Sequence, residues 1–294
     1  MSQERNDSVK GKLVPIIIAL LLVAGLSMTL YPLASNLYYE HQQEKLTDEY
    51  DQLVEQQLPE SDRIQQLQAC YDYNTTLIKG GVLLTDPFEE AQLDPTAMPY
   101  AGLLNPQGDG SMGYLTIPAI DVNLVIYHGV EEDILQKGVG HLQGSSLPVG
   151  GVGTHSVLSA HTGLGDKKLF TDLNQLVEGD LFYIHVLGQE LAYQVDQIRV
   201  VLPNELDDLR INAEQDYVTL VTCTPYGINS HRLLVRGTRV ENNAIAEQTV
   251  AQPQRGSTWR QQYLKALSLG AGILGVGALA VFAVKAIRKG HKEV

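Results

Sequence analysis

From Leu13 to Leu30 the chain carries no charged residue, and the run Val14-Pro15-Ile16-Ile17-Ile18-Ala19-Leu20-Leu21-Leu22-Val23-Ala24 is apolar on every side. A bilayer is crossed by about 20 such residues, so residues 13–34 are expected to be a transmembrane anchor. A cleaved leader is the competing reading, but Ala34-Ser35-Asn36 is a poor small-residue cleavage site. A second charge-free run, Ala266 to Val284, predicts another span over 264–284. Its glycines Gly270, Gly272, Gly275 and Gly277 are ordinary in membrane helices and need not mark a dimer face.

The flanks set an expected orientation. Arg5, Lys10 and Lys12 precede the first run, and Lys285, Arg288, Lys289 and Lys292 follow the second. Basic residues stay on the cytoplasmic side, so residues 1–12 and 285–294 are read as cytoplasmic tails and everything between the spans as extracellular. A mean hydropathy of −0.07 is too polar for a polytopic transporter, which makes the middle a folded domain in water. The chain's net charge of −13 understates that middle: the tails hold seven basic and three acidic residues, so residues 13–284 hold 14 basic and 31 acidic residues, a net charge of −17. It argues against nucleic acid as a partner.

The middle divides by pattern. Residues 36–79 hold Leu46, Tyr50, Leu53, Val54 and Leu58 at helical spacing, then Pro59 as a break and new start, then Ile64, Leu67 and Tyr71. This predicts two helices forming a stalk or cap. Residues 80–111 contain Pro87, Pro95, Pro99 and Pro106, too many for a helix or a central strand, and read as an extended loop. From Met112 on, β-branched runs alternate with Gly, Pro and Asp. Strands are expected at 113–117, 122–126, 155–160, 181–186, 190–201, 217–222 and 232–240, with single helical turns at 131–136 and 172–176. Seven or eight strands over 112–243 predict a mainly β fold, a closed barrel or a sandwich. Residues 244–263 would link it to the second span.

Chemistry concentrates at strand ends. The strand Tyr217-Val218-Thr219-Leu220-Val221-Thr222 runs into Cys223-Thr224-Pro225-Tyr226-Gly227, which places a thiol at a barrel mouth. Nine residues later Arg232 opens the next strand, so a hairpin would bring cation and thiol to one rim. A neighbouring cation lowers a thiol pKa. His161, in Ser159-Ala160-His161-Thr162-Gly163, also ends a strand. Cys and His suffice for acyl transfer, one forming the thioester and the other moving protons.

Taken by themselves these residues leave alternatives open. A lone Cys is more often a small buried apolar residue than a nucleophile, and Cys70 reads as packing within its helix. A Cys70–Cys223 disulfide is compatible with an oxidising compartment, though it would tie the stalk to the barrel and consume the thiol at the strand end. His128, His141, His155, His185 and His231 have no spacing that assembles a zinc site.

The segment Thr219 to Gly237, with Cys223-Thr224-Pro225-Tyr226-Gly227 and Arg232 in it, resembles the active-site strand pair of sortases, cysteine transpeptidases of Gram-positive bacteria. Ser159-Ala160-His161-Thr162-Gly163-Leu164 followed by Lys168-Leu169-Phe170-Thr171-Asp172-Leu173 is similar to the family's His-bearing loop; Ala160 departs from the Gly that more often precedes that His. The resemblance implies a sortase-type barrel of about eight strands with a transmembrane helix at each end, Cys223 as nucleophile, His161 as acid and base, and Arg232 positioning substrate or steadying the oxyanion. Asp86-Pro87-Phe88 and the second span resemble class C, the pilus-assembly enzymes. That likeness implies a lid over residues 80–111 in which Asp86 pairs with Arg232 and Phe88 covers Cys223. The implied reaction cleaves an LPxTG-type signal after Thr and transfers the acyl group to a lysine of another pilin. No cofactor or metal is called for, and a monomer is expected. A housekeeping sortase that anchors proteins to the wall, and a non-catalytic surface barrel, are the alternatives.

Overall fold

A computed structural model describes residues 2–80, 84–89, 99–241 and 257–290 of the chain. The first helix, α1 (Ser2–Gln56), runs without interruption through both the expected anchor and the first half of the expected stalk. Residues Gln57 to Pro59 form a tight turn, and α2 (Glu60–Gly80) follows. Pro59 does act as break and start: its carbonyl accepts hydrogen bonds from the backbone N–H of Asp62 and Arg63. Among the described residues one helical stretch is long and apolar enough to cross a bilayer by length and composition, Ile16–Gln56, with a peak hydropathy of 2.3 in its apolar window. The C-terminal helix α4 (Trp259–Gly290) starts five residues before the expected span at 264. It belongs to a separate compact unit that begins at Gln254.

Among the described residues eight strands close a barrel: β1 (Ser111–Ile117), β2 (Val122–His128), β3 (Val139–His141), β4 (Thr154–Ser159), β5 (Leu181–Val186), β6 (Gln189–Val201), β7 (Asp216–Thr224) and β8 (His231–Arg239). Their order around the barrel is β1-β2-β3-β4-β7-β8-β6-β5, with β1 and β5 antiparallel at the closure. The β2–β3 and β4–β7 pairs are parallel. Seven strands fall within two residues of their expected limits. The eighth, β3, is Val-Gly-His, too short to show an alternating pattern, and exists because β2 and β4 both pair with it. The expected turns at 131–136 and 172–176 appear as α3 (Glu132–Lys137) and a 3-10 turn at Leu173–Gln175.

The barrel is filled by side chains that alternate inward, among them Leu115, Ile117, Ile126, Phe182, Ile184, Tyr193, Leu220 and Val235, all fully buried. Packing is tight enough to require glycine at 237, where a Cβ would lie 2.5 Å from the Phe182 ring.

The C-terminal half of α1 is a cap on the barrel. Its inward stripe is Tyr39, Gln43, Thr47, Tyr50 and Val54, so two polar residues stand where Leu46 was expected to face the core. They meet polar groups of β2: the Val125 backbone N–H donates to Gln43 Oε1 at 3.0 Å, and the Asn123 side-chain amide donates to Thr47 Oγ1 at 3.2 Å. Tyr50 accepts from the Leu187 N–H and donates to the Met112 carbonyl, both at 3.0 Å. In α2, Leu67, Cys70, Asn74 and Leu77 face inward at spacings of 3, 4 and 3, while Ile64 is exposed. Asn74 pairs with the backbone of Leu147 through both its amide atoms, at 2.7 and 3.1 Å. In the Pro-rich segment residues 84–89 and 99–111 are described; Tyr100 anchors it in a 3-10 turn, buried with its hydroxyl 2.8 Å from His141 Nδ1. Pro95 and most of the expected linker lie outside the described residues.

Candidate active site

Strand register assembles one rim of the barrel. Cys223 is the penultimate residue of β7 and lies directly opposite Arg232, the second residue of β8. The parallel pair β4–β7 ends with Ser159 opposite Val221. His161 and Cys223 each lie two residues beyond that pair, so both reach the same edge. The edge is tied across by Thr222 Oγ1, which donates to the Ala160 carbonyl at 2.8 Å, and by the Ala160 N–H, which donates to the Val221 carbonyl at 3.2 Å. Beyond His161 the chain turns at Gly163, whose φ of +79 and position 3.3 Å from the Tyr226 ring, measured to an added Cβ, both favour glycine.

The loop that carries His161 is pinned by an interior cation. Lys168 is buried and pairs with Asp172 at 3.4 Å. Its ammonium also donates to the carbonyls of Ile120 and of Asp121, the latter at 3.2 Å. Asn36 of α1 accepts from the Lys168 N–H at 2.7 Å. The helical cap and the β1–β2 turn thereby fix where the histidine loop begins its return.

Asp86, Pro87 and Phe88 form a turn closed by the Glu89 N–H donating to the Asp86 carbonyl at 3.1 Å. Asp86 is buried and grips Arg232 in a two-pronged fork, with Arg232 Nε to Asp86 Oδ1 at 2.8 Å and Nη2 on the other oxygen. Arg232 Nη1 donates to the Asn229 and His231 carbonyls at 3.1 and 3.2 Å. Phe88 lies 5.1 Å from the guanidinium and 5.7 Å from the His161 ring, so it sits against both. Of the segment expected as a lid, Asp86 and Phe88 thus lie against Arg232 and His161.

Charge follows from these contacts. The Cys223 thiol is raised above its ordinary value of 9.0, chiefly by burial; Arg232 pulls it down and Asp86 pushes it up. The expectation of a thiol lowered by its cation is therefore corrected in this arrangement, where desolvation outweighs the neighbouring charge. For Arg232 burial disfavours the charge, but the fork with Asp86 more than offsets it. Cys70 and Cys223 are both free and buried, and burial pushes the Cys70 thiol up to about 12. Among the described residues no three His, Cys, Asp or Glu side chains converge as metal ligands would. His141 and His155 are structural by their contacts. His141 bridges Tyr100 and the Ser146 carbonyl, and His155 bridges the Arg210 carbonyl and Thr219.

One neighbour was not legible from spacing. Glu132, the first residue of α3, places Oε2 3.0 Å from His161 Nε2 across 29 residues of chain. Its other oxygen accepts from Gln136 Nε2 at 2.7 Å.

The Sortase domain model matches residues 115–240. Sortase D of Bacillus subtilis is 28% identical over 138 residues, 46% of this chain and 67% of that protein. Sortase A of Listeria monocytogenes is 27% identical over 139 residues, 47% of this chain and 61% of that one. Among solved structures, Streptococcus pneumoniae sortase C is 45% identical with a TM-score of 0.62, over 67% of this chain and 97% of that one. Actinomyces oris sortase C-1 is 46% identical with a TM-score of 0.57, over 61% and 99% respectively.

Proposed function

This chain belongs to the sortase family, whose members are cysteine transpeptidases, and from that premise we propose that it is a pilus-assembling class C enzyme with Cys223 as nucleophile. The Cys223 thiolate attacks the carbonyl carbon of the Thr in an LPxTG-type sorting signal. The Thr–Gly amide bond breaks, His161 as imidazolium gives its proton to the departing glycine amine, and the acyl group is left as a thioester. A lysine amine of a second pilin then attacks that thioester. His161 takes the amine's proton, a new amide bond forms, and the thiolate is released. Arg232, once free of Asp86, presents a rigid fork of donors to the substrate carbonyls or the developing oxyanion; Lys would not reproduce that geometry.

The observation that carries this reading is the cross-strand pair Cys223–Arg232 with Asp86 locked onto the guanidinium. A nucleophilic site needs its cation available, and here that cation is occupied by a carboxylate from the lid, as an enzyme held in reserve requires. The similarity to the pneumococcal protein, whose structure was described in terms of pilin substrate specificity, favours pilin over other acceptors. In this reading α1 and residues 264–284 anchor the protein, with both tails in the cytoplasm and the barrel, as a monomer, outside.

The test is transpeptidation by the full chain in detergent, offered an LPxTG-type peptide and either a pilin with accessible lysines or an oligoglycine amine. Lysine-linked pilin ladders and a hydroxylamine-sensitive adduct, both lost in Cys223→Ala, are expected. Coupling to oligoglycine with no ladder would make it a housekeeping, wall-anchoring enzyme instead, and turnover that survives Cys223→Ala would remove the nucleophile.

A further inference from the structure

We infer that Glu132 is a positioning residue for His161, fixing the proton on Nε2 and leaving Nδ1 as the nitrogen that gives and takes the transferred proton. The inference rests on the transpeptidase reading above and adds the group that sets the histidine's tautomer.

Donor and acceptor capacity decides which nitrogen carries the hydrogen. An ionised carboxylate only accepts hydrogen bonds, so the 3.0 Å contact between Glu132 Oε2 and His161 Nε2 requires a hydrogen on Nε2. A neutral imidazole carries one hydrogen, so Nδ1 is then the free lone pair. When His161 is protonated, the proton it added, and can give away, is the one on Nδ1. Which nitrogen of a histidine works is set by the bond the other one makes.

Glu132 is itself held. Its second oxygen accepts from Gln136 one helical turn on, at 2.7 Å. Lys167, in the loop after His161, donates to the Gln136 carbonyl at 2.8 Å, which ties that loop to α3. Phe88 lies against the imidazole from the lid side. Two nearby carboxylates are engaged elsewhere: Asp86 holds Arg232, and Asp172 holds Lys168. Cys223 and Arg232 face one another across β7 and β8.

The Glu132 side chain is 67% exposed and His161 18%. An ion pair that wet contributes little to fold stability, so a purely structural role predicts almost no phenotype. Orientation of a proton carrier is different, because a ring that presents the wrong nitrogen cannot transfer its proton at all.

The experiment labels the full chain in detergent with [15N]histidine and reads the ring nitrogens of His161, assigned by the signal lost in His161→Gln. The neutral wild-type ring should be the Nε2–H tautomer. Glu132→Ala should give a mixture, and Glu132→Gln, whose amide oxygen still accepts, should keep Nε2–H. In parallel, kcat for the LPxTG-type peptide should fall about tenfold in Glu132→Ala with KM unchanged, and recover in Glu132→Gln. An unchanged tautomer in Glu132→Ala overturns the inference, as does an equal loss of kcat in both variants. If instead wild type shows no transpeptidation, it is the proposed function that fails, and the tautomer measurement still decides the role of Glu132.

Discussion

Removing Asp86 should unlock Cys223, and the size of the effect follows from burial. The Asp86 side chain is 1% exposed and that of Arg232 is 10%. Deleting one partner of a buried pair strands the other, at a cost of about 3 kcal/mol or more. In the open form both groups are solvated and the same substitution costs almost nothing, so the loss falls on the closing equilibrium. At 1.4 kcal/mol per decade, about 3 kcal/mol multiplies the open-to-closed ratio by roughly 150. Truncating Phe88 adds to this by removing its contacts with His161 and Arg232.

The assay is the second-order rate of a small thiosulfonate with the full chain, with Cys223→Ala as the blank. Cys70 does not interfere: it is fully buried, with a thiol raised to about 12. Asp86→Ala should raise the rate at pH 7 at least tenfold, with saturation once the lid is open in most molecules. Two causes that raise the thiol pKa, burial and the Asp86 charge, are removed together, so the midpoint of the pH–rate profile should also move down. In the wild type the sign runs the other way. A thiol held above 9.0 by closure stabilises the closed form fully below that pH and loses the contribution as pH rises through the raised value. Wild-type reactivity should therefore climb above pH 9 by more than simple ionisation gives. A rate unchanged in Asp86→Ala and in the double variant with Phe88→Ala would refute the idea that the lid holds the thiol in reserve.

Two further outcomes follow from the interior. Burial lowers both His141 and His155 to about 4, so their contribution is present above 6.5 and is lost as pH falls toward 4; at pH 5 the urea-unfolding free energy of the barrel should be lower than at pH 7 by about 2 kcal/mol for each. Lys168→Ala leaves Asp172 without its interior ammonium and cuts the tie from the histidine loop to the Ile120 and Asp121 carbonyls; it should lower the same free energy by about 3 kcal/mol, and an unchanged urea midpoint would remove Lys168 as the anchor.

The barrel was readable because its strands are local patterns: alternating β-branched residues between glycines and prolines fix seven of the eight. The Cys223–Arg232 pairing was readable for the same reason, since a short hairpin determines which residues face each other. The position of His161 needed the parallel β4–β7 register, which no local pattern contains. The Asp86–Arg232 fork spans 146 residues and was accessible only through family resemblance, and Glu132 not at all. The stripe of α1 misled because burial was equated with apolarity; Gln43 and Thr47 face inward to meet backbone and side-chain partners on β2. The thiol misled in the opposite sense. Counting the adjacent cation without the lid that buries it gives the direction expected of the open site rather than the closed one.

That inversion suggests how the lid must open. In this arrangement Asp86 occupies Arg232, Phe88 lies against His161, and burial raises the Cys223 thiol above its ordinary value. Each device acts on a different group of the reaction, yet all three are carried by one turn, so they are released together. A peptide backbone can offer Arg232 only neutral carbonyl oxygens, which are weaker partners than the carboxylate already there. Under the proposed function the substrate cannot displace Asp86 by competing for the guanidinium from outside a closed groove. It binds the fraction of molecules already open, and its apparent affinity is reduced by that fraction. Under that proposal the buried fork would control how much enzyme is competent, through a few kcal/mol at one ion pair, and the rate of chemistry within an open molecule would be left to Cys223, His161 and the groups that orient them.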